Sequence, residues 1–198
     1  MEFDKNGNII PQKIKFNVEP DEFILDSYEN PNTAESEVLH PRKIEIFDID
    51  GCICDNFFPN LNENADISDL KQRILNTLIN PNFVEHYRKS VALKYFITGR
   101  RFKDFGFETL EQLKNLHINP GQIVFYPDTY NHTKIRYNTF KIYNILKIAV
   151  QHKPSEIVVY DDIISYYPKL ISLGLALKIE KLRTIHVKNH KKFWRRYP

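Results

Sequence analysis

From Pro41 onward the chain repeats one pattern: a short apolar run, then a stretch with apolar residues at helical spacing, then another apolar run. Apolar runs of four to seven residues are the mark of strands covered on both faces, and their alternation with amphipathic helices requires a parallel sheet with right-handed crossovers. Strands are predicted at Lys43–Phe47, 91–97, Gln122–Tyr126, 156–160 and 183–187. Between them, Leu70, Ile74, Leu75 and Leu78 predict a helix over 69–78. Leu110, Leu113 and Leu116 predict one over 107–116, and Phe140, Ile142, Ile145, Leu146 and Ala149 one over 139–150. A last helix is expected within 164–182, where Pro168 and Gly174 blur its limits. The expected fold class is therefore α/β, a Rossmann-like three-layer sandwich around a central, mainly parallel sheet.

Three domain segments follow. Residues 1–40 carry turn signals at Asn6-Gly7, Pro11, Pro20 and Asn30-Pro31 and read as a β-rich or extended N-terminal arm. Residues 41–187 form the α/β domain. Residues 188–198 form a basic, aromatic tail, continuous with HVKNHKKFWRRYP from His186, in which cations alternate with Phe193, Trp194 and Tyr197.

In open parallel sheets ligands bind outside the carboxyl ends of the strands. Three predicted strands end in reactive groups: Asp48 and Asp50 after the first, Thr98-Gly99-Arg100-Arg101 after the second, and Asp161-Asp162 after the fourth. Four carboxylates meeting at one edge repel strongly at low dielectric, and a bound cation resolves that repulsion. An all-oxygen donor set favours a hard ion, so Mg²⁺ is the expected cofactor. Thr98 offers a hydroxyl, Gly99 a close backbone approach and Arg100 or Arg101 a forked cation, which together suit a phosphate. One carboxylate can attack phosphorus to form an aspartyl phosphate while its neighbour handles the proton.

The ordered series FDIDGCICD, FITGRR, a lysine opening a helix, and VVYDD resembles the four-motif signature of the haloacid dehalogenase superfamily of phosphohydrolases. That resemblance spans about residues 43–182. It implies Asp48 as nucleophile and Asp50 as acid/base, with the Asp50 backbone carbonyl also on Mg²⁺. It further implies Thr98 on the phosphoryl group, Asp161 and Asp162 on the metal, and a motif lysine. Lys141 in NTFKIYNILK is the first choice for that lysine and Lys134 in NHTK the competitor. The bare Asp-Asp, the Thr-Gly-Arg and Thr139-Phe140-Lys141 resemble the subgroup with polynucleotide 3'-phosphatase and related RNA-repair domains. This chain departs from that subgroup at Ile163, where the subgroup often has Arg, and carries Cys52 where the superfamily often has Thr. The gaps 55–92 and 101–141 are too short for a large cap domain, which leaves the crevice open to a polymer end.

The expected function is a Mg²⁺-dependent phosphomonoesterase acting on a DNA or RNA end such as a 3'-phosphate. The alternatives are a small-molecule or nucleotide phosphatase and a non-catalytic module that binds phosphorylated ends. A net charge of +3 supplies no global field for nucleic acid, so any such contact is expected from local features: the basic tail, and the loop after Tyr126, which carries Tyr130, His132, Lys134 and Arg136 and follows a strand end beside the substrate path. His132, in the polar loop after Tyr126, reads as ordinary surface, and no G-x-x-x-x-G-K-[ST] loop accompanies the motifs. Cys52 and Cys54, two apart, read as packing residues beside the site rather than as a disulfide or a zinc pair. No apolar stretch reaches the ~20 residues of a membrane span, and the first residues lack a signal-peptide pattern, so a cytoplasmic location is expected. No feature fixes an oligomeric state.

Overall fold

Five strands run parallel through the sheet, the four inner ones as largely buried runs and the last, at the edge, with Arg183, Ile185 and His186 exposed. They are β2 (Lys43–Phe47), β4 (Leu93–Arg101), β5 (Gln122–Tyr126), β6 (Glu156–Asp161) and β7 (Leu182–His186), preceded along the chain by β1 (Ser27–Glu29). The computed structural model describes residues 27–29, 42–55, 66–119, 122–129, 133–187 and 195–196 of the 198. Across the sheet the order is β1-β5-β4-β2-β6-β7, with β1 antiparallel to β5 at one edge. Ser27–Glu29 is the only part of the expected N-terminal arm within the described residues, and it joins the main sheet.

Helices α1 (Ile67–Asn76), α2 (Pro81–Lys89) and α3 (Phe102–Asn115) lie on one side of the sheet; α4 (Lys134–His152) and α5 (Tyr167–Ala176) lie on the other. The alternation along β2 decides which side chains go where. Ile44 and Ile46 join the α4–α5 layer with Tyr95, Ile97, Ile157 and Val159, while Phe47 joins Phe96, Val158, Val84 and Leu113 on the opposite face. Ile44, Phe47, Phe96 and Ile157 have no exposed surface, and each contributes ~1.5–3 kcal/mol by its burial. Tyr160 lies flat against Phe47, ring centroids 4.8 Å apart.

Local signals set the helix ends. The Asp66 carboxylate accepts from Ser68 N at 2.9 Å to open α1, and Asn80 caps α2 with Pro81 at its first position. Thr133 caps α4, and Lys153, at φ 46°, ends it in the left-handed region. Two further short strands, β3 (Leu78–Ile79) and β8 (Arg195–Arg196), pair antiparallel. The sequence pattern predicted neither. Within the tail, then, the backbone of Arg195 and Arg196 is docked on the domain. The other residues of 188–198 lie outside the described set, as do Tyr130 and His132.

Among the described residues no helix is long and apolar enough to cross a membrane.

Candidate functional site

The chain runs outward from β2 through β4 to β5, then crosses back over the sheet in α4 to start again at β6. The switch point of the topology therefore lies between β2 and β6, where an open sheet forms its crevice. Asp48 follows the last residue of β2, and its N–H donates to the Tyr160 carbonyl at 2.9 Å, continuing the β2–β6 ladder. Asp161 ends β6. Both acids continue the alternation of Ile44, Ile46 and of Ile157, Val159, so both face the α4 layer.

Lys141 reaches them from two turns inside α4. Its ammonium lies 2.8 Å from Asp48 Oδ1 and 3.1 Å from Asp161 Oδ2, and it also donates to the Ile97 carbonyl in the neighbouring strand β4. Lys134, the competing lysine, is exposed at the first position of α4. The ring of Tyr137, one turn before Lys141 on the same helix face, lies 5.3 Å from that ammonium. Asp161 is held on both oxygens: Oδ1 accepts from Ile163 N at 2.8 Å, and Oδ2 accepts from the Tyr166 hydroxyl at 2.7 Å. Tyr167 donates to the carbonyls of Asp161 and Ile185.

Carboxylate oxygens of Asp48, Asp161 and Asp162 lie within 4.8 Å of one another. Their proximity depends on Gly51, which has φ +82° and so close an approach to Asp162 that a Cβ built on it would stand 2.2 Å from Oδ2. The loop carrying Gly51 is tightly wound: the Ile49 carbonyl accepts from the N–H groups of Cys52, Ile53 and Cys54, and Gly51 N donates to the Cys54 carbonyl at 2.7 Å. The chain then pairs with β3 through Asp55 N to the Leu78 carbonyl and the Cys54–Ile79 bridge, and β3 pairs with β8.

The electrostatics follow from three acids around one lysine in a buried place. Burial, and then the neighbouring Asp161, Asp162 and Asp50, push the Asp48 carboxyl well above the usual carboxylate range, although Lys141 pulls the other way. Asp162, by burial and the adjacent Asp161, is pushed up to about 6. For Lys141, burial works against the charge, but Asp161 and Asp48 outweigh it and hold the ammonium protonated beyond its ordinary range. This excess of negative charge and the all-oxygen donor set fit a hard divalent cation.

Asp50 and Arg100 have a different geometry from the one their motifs suggest. Arg100 has no exposed surface; its Nε and Nη2 bind the two Asp50 oxygens at 2.9 and 2.7 Å, and Nη1 bonds Thr109 and Gln112 at 3.1 and 2.9 Å. The expected forked contact of Arg100 with a phosphate is thus a forked contact with Asp50. The Asp50 side chain belongs to that pair and not to the cluster of three acids. Thr98 and Gly99, expected just beyond a strand ending at residue 97, lie buried within β4, which runs on to Arg101 with a register shift after Ile97; Thr98 Oγ1 accepts from Arg100 N at 3.2 Å and keeps its own proton to donate. Arg101 is about one-third exposed. Cys52 and Cys54 are free thiols, fully buried, and burial raises both above the ordinary range.

Sequence reasoning missed Tyr137, Tyr166, Thr109 and Gln112. The i, i+4 spacing of Tyr137 and Lys141 was a usable signal; Thr109 and Gln112 reach Arg100 only through the packing of α3 on β4. Comparison of the chain with models of known protein families, with curated proteins and with solved structures gives no match.

Proposed function

We propose that this protein is a Mg²⁺-dependent phosphomonoesterase of the haloacid dehalogenase type, acting through an aspartyl phosphate on Asp48. The observation that carries this reading is the seat of Lys141, 2.8 and 3.1 Å from Asp48 and Asp161, inside a group of three carboxylates at the switch point of a parallel sheet. In this reading the carboxylates of Asp48, Asp161 and Asp162 would hold Mg²⁺, which would supply positive charge to offset that of a phosphoryl group. Lys141 keeps Asp48 oriented and offsets the negative charge as phosphate approaches. A carboxylate oxygen of Asp48 bonds to phosphorus as the bond to the leaving oxygen breaks, and Thr98 with Gly99 hydrogen-bonds the phosphoryl group. Asp50 supplies the proton to the leaving oxygen and takes one from the water that then attacks phosphorus. Because Asp50 is bidentate to Arg100, this proton step requires one of those two bonds to open, and Arg100 is a positioning residue.

The substrate we infer is a phosphorylated nucleic-acid end, a 3'-phosphate first. Two features support it: the described part of the segment between β2 and β4 holds only α1, β3 and α2, and the Arg195-Arg196 backbone is tied through β3 to the loop that carries Asp50. The test is phosphate release with Mg²⁺ from 3'- and 5'-phosphorylated oligonucleotides, a mononucleotide and p-nitrophenyl phosphate, each with wild type and Asp48→Asn. Preference for the polymer 3' end is expected. Turnover of small substrates alone would overturn the substrate, and turnover by Asp48→Asn would overturn the mechanism.

A further inference from the structure

A large cavity, about 720 Å³, opens at the other edge of the sheet, at the amino ends of β2 and β4 beside the end of α2. That size suits a small-molecule site. Arg42, Lys43, Glu45, His86, Lys89 and Ser90 supply its polar wall. Glu45 is the unusual member: it sits in the central strand of the sheet with no exposed surface, on the face that packs against α2. A carboxylate there is costly unless its oxygens are bonded. Oε1 has Lys43 Nζ at 2.5 Å, the Tyr160 hydroxyl at 3.3 Å and His86 Nε2 at 3.7 Å. Oε2, with Ser90 nearby, is shut off from solvent and accepts no hydrogen bond of normal geometry. Tyr160 and His86 also bond each other at 3.0 Å, which holds the His86 ring beside Glu45. Lys43, about one-third exposed, is the flexible cover between Glu45 and the opening.

The site thus offers a buried acceptor, Oε2 of Glu45, that meets no donor in normal geometry, and a cationic mouth in Arg42, Lys43 and Lys89. We propose that this cavity binds a small anion carrying paired N–H donors, the donors on Glu45 and the anionic group at the mouth, with a guanine nucleotide as the model of that class. The base edge of guanine presents adjacent ring and exocyclic N–H groups that match the two oxygens of a carboxylate, with the ring donor to Oε2 and the amino group replacing Lys43 at Oε1. Lys43 is then released to the phosphate. Glu45 lies in β2 three residues before Asp48, which directly follows that strand, roughly 10 Å away, so the two sites are separate.

The test is calorimetric titration of the full chain, in EDTA, with guanosine, inosine and adenosine monophosphates and with inorganic phosphate. Guanosine monophosphate is expected to bind about tenfold more tightly than the inosine compound, which lacks the exocyclic amine, a factor in line with the loss of one bond of a bidentate pair. Glu45→Gln should remove that preference, Arg42→Ala should weaken every nucleotide, and Asp161→Ala at the acidic crevice should leave binding unchanged. Absence of binding at millimolar guanosine monophosphate, equal affinity for the three nucleotides, or loss of binding in Asp161→Ala would overturn the proposal. Should Glu45→Gln fail to fold, the comparison of nucleotides on wild type still decides. Retention in Asp161→Ala also keeps this outcome independent of whether the crevice hydrolyses phosphate.

Discussion

Replacing Lys141 by Met removes the cation that Asp48 and Asp161 share while keeping most of the side-chain volume. Asp48 is 4% and Asp161 1% exposed, so both would lose an ammonium at 2.8 and 3.1 Å with no water to take its place, and the Ile97 carbonyl would lose a donor. Breaking a buried pair by deleting one partner costs ~3–5 kcal/mol, a large part of a domain's whole ~5–15 kcal/mol. Two conditions should return part of this. Asp48, already raised by burial and its acidic neighbours, gains a proton more readily without Lys141, so the penalty should shrink as pH falls. A divalent cation bound only by the folded state should add ~2.7 kcal/mol at a hundredfold excess over its dissociation constant. Urea unfolding at about pH 8 and about pH 5, each in EDTA and in Mg²⁺, separates the two effects. A loss under ~1 kcal/mol at the higher pH, or a loss indifferent to both pH and Mg²⁺, would refute the placement of Lys141 as the charge that holds this cluster together.

Three further expectations rest on other contacts. Gly51→Ala should cut Mg²⁺ affinity about tenfold or more, because the added Cβ would displace the Asp162 carboxylate in a backbone already at φ +82°; unchanged affinity by calorimetry would contradict that. Arg100→Lys should lower the stability by ~2–4 kcal/mol and change turnover more than substrate binding. A lysine cannot serve both Asp50 oxygens together with Thr109 and Gln112, and a neutral outcome in unfolding and in the kcat against KM split would argue against the fork. In metal-free protein, Asp162, titrating at about 6 in the folded state, stabilises the fold below the unfolded carboxylate range, and this contribution is lost as pH rises through about 6. Asp162→Asn should flatten that part of the stability profile, and an unchanged profile would contradict it.

Sequence periodicity located all five parallel strands, four as runs that the sheet largely buries and β7 as a half-exposed edge strand, and β2 and β5 match to the residue. Helix limits were less legible. Helix α3 begins at Phe102 rather than near Phe107, because Gly106 looks like an interruption, yet its missing Cβ makes room for the Phe102 ring. Helix α5 ends at Ala176, well before Leu182, since Lys178 turns left-handed and Leu182 must align with Ile157 in β7. Helix α2 went unpredicted although Asn80-Pro81 is a start signal, and β8 had no local signal: two arginines form a strand only because β3 is there to pair with. The acids and Lys141 were legible because strand ends in a parallel sheet share one edge. The partner of Arg100 was not, since a motif gives no direction for a side chain four-carbon-long enough to reach either the crevice or Asp50.

The most direct test of the whole account is to trap the intermediate. Wild-type protein turning over a phosphorylated substrate with Mg²⁺ is quenched with borohydride, which reduces an acyl phosphate to an alcohol, and the peptide spanning Asp48 is sequenced by mass spectrometry. The account predicts homoserine at position 48, dependent on substrate and on Mg²⁺. Phosphate release with Asp48 unmodified, or homoserine at Asp50, Asp161 or Asp162 instead, would contradict it.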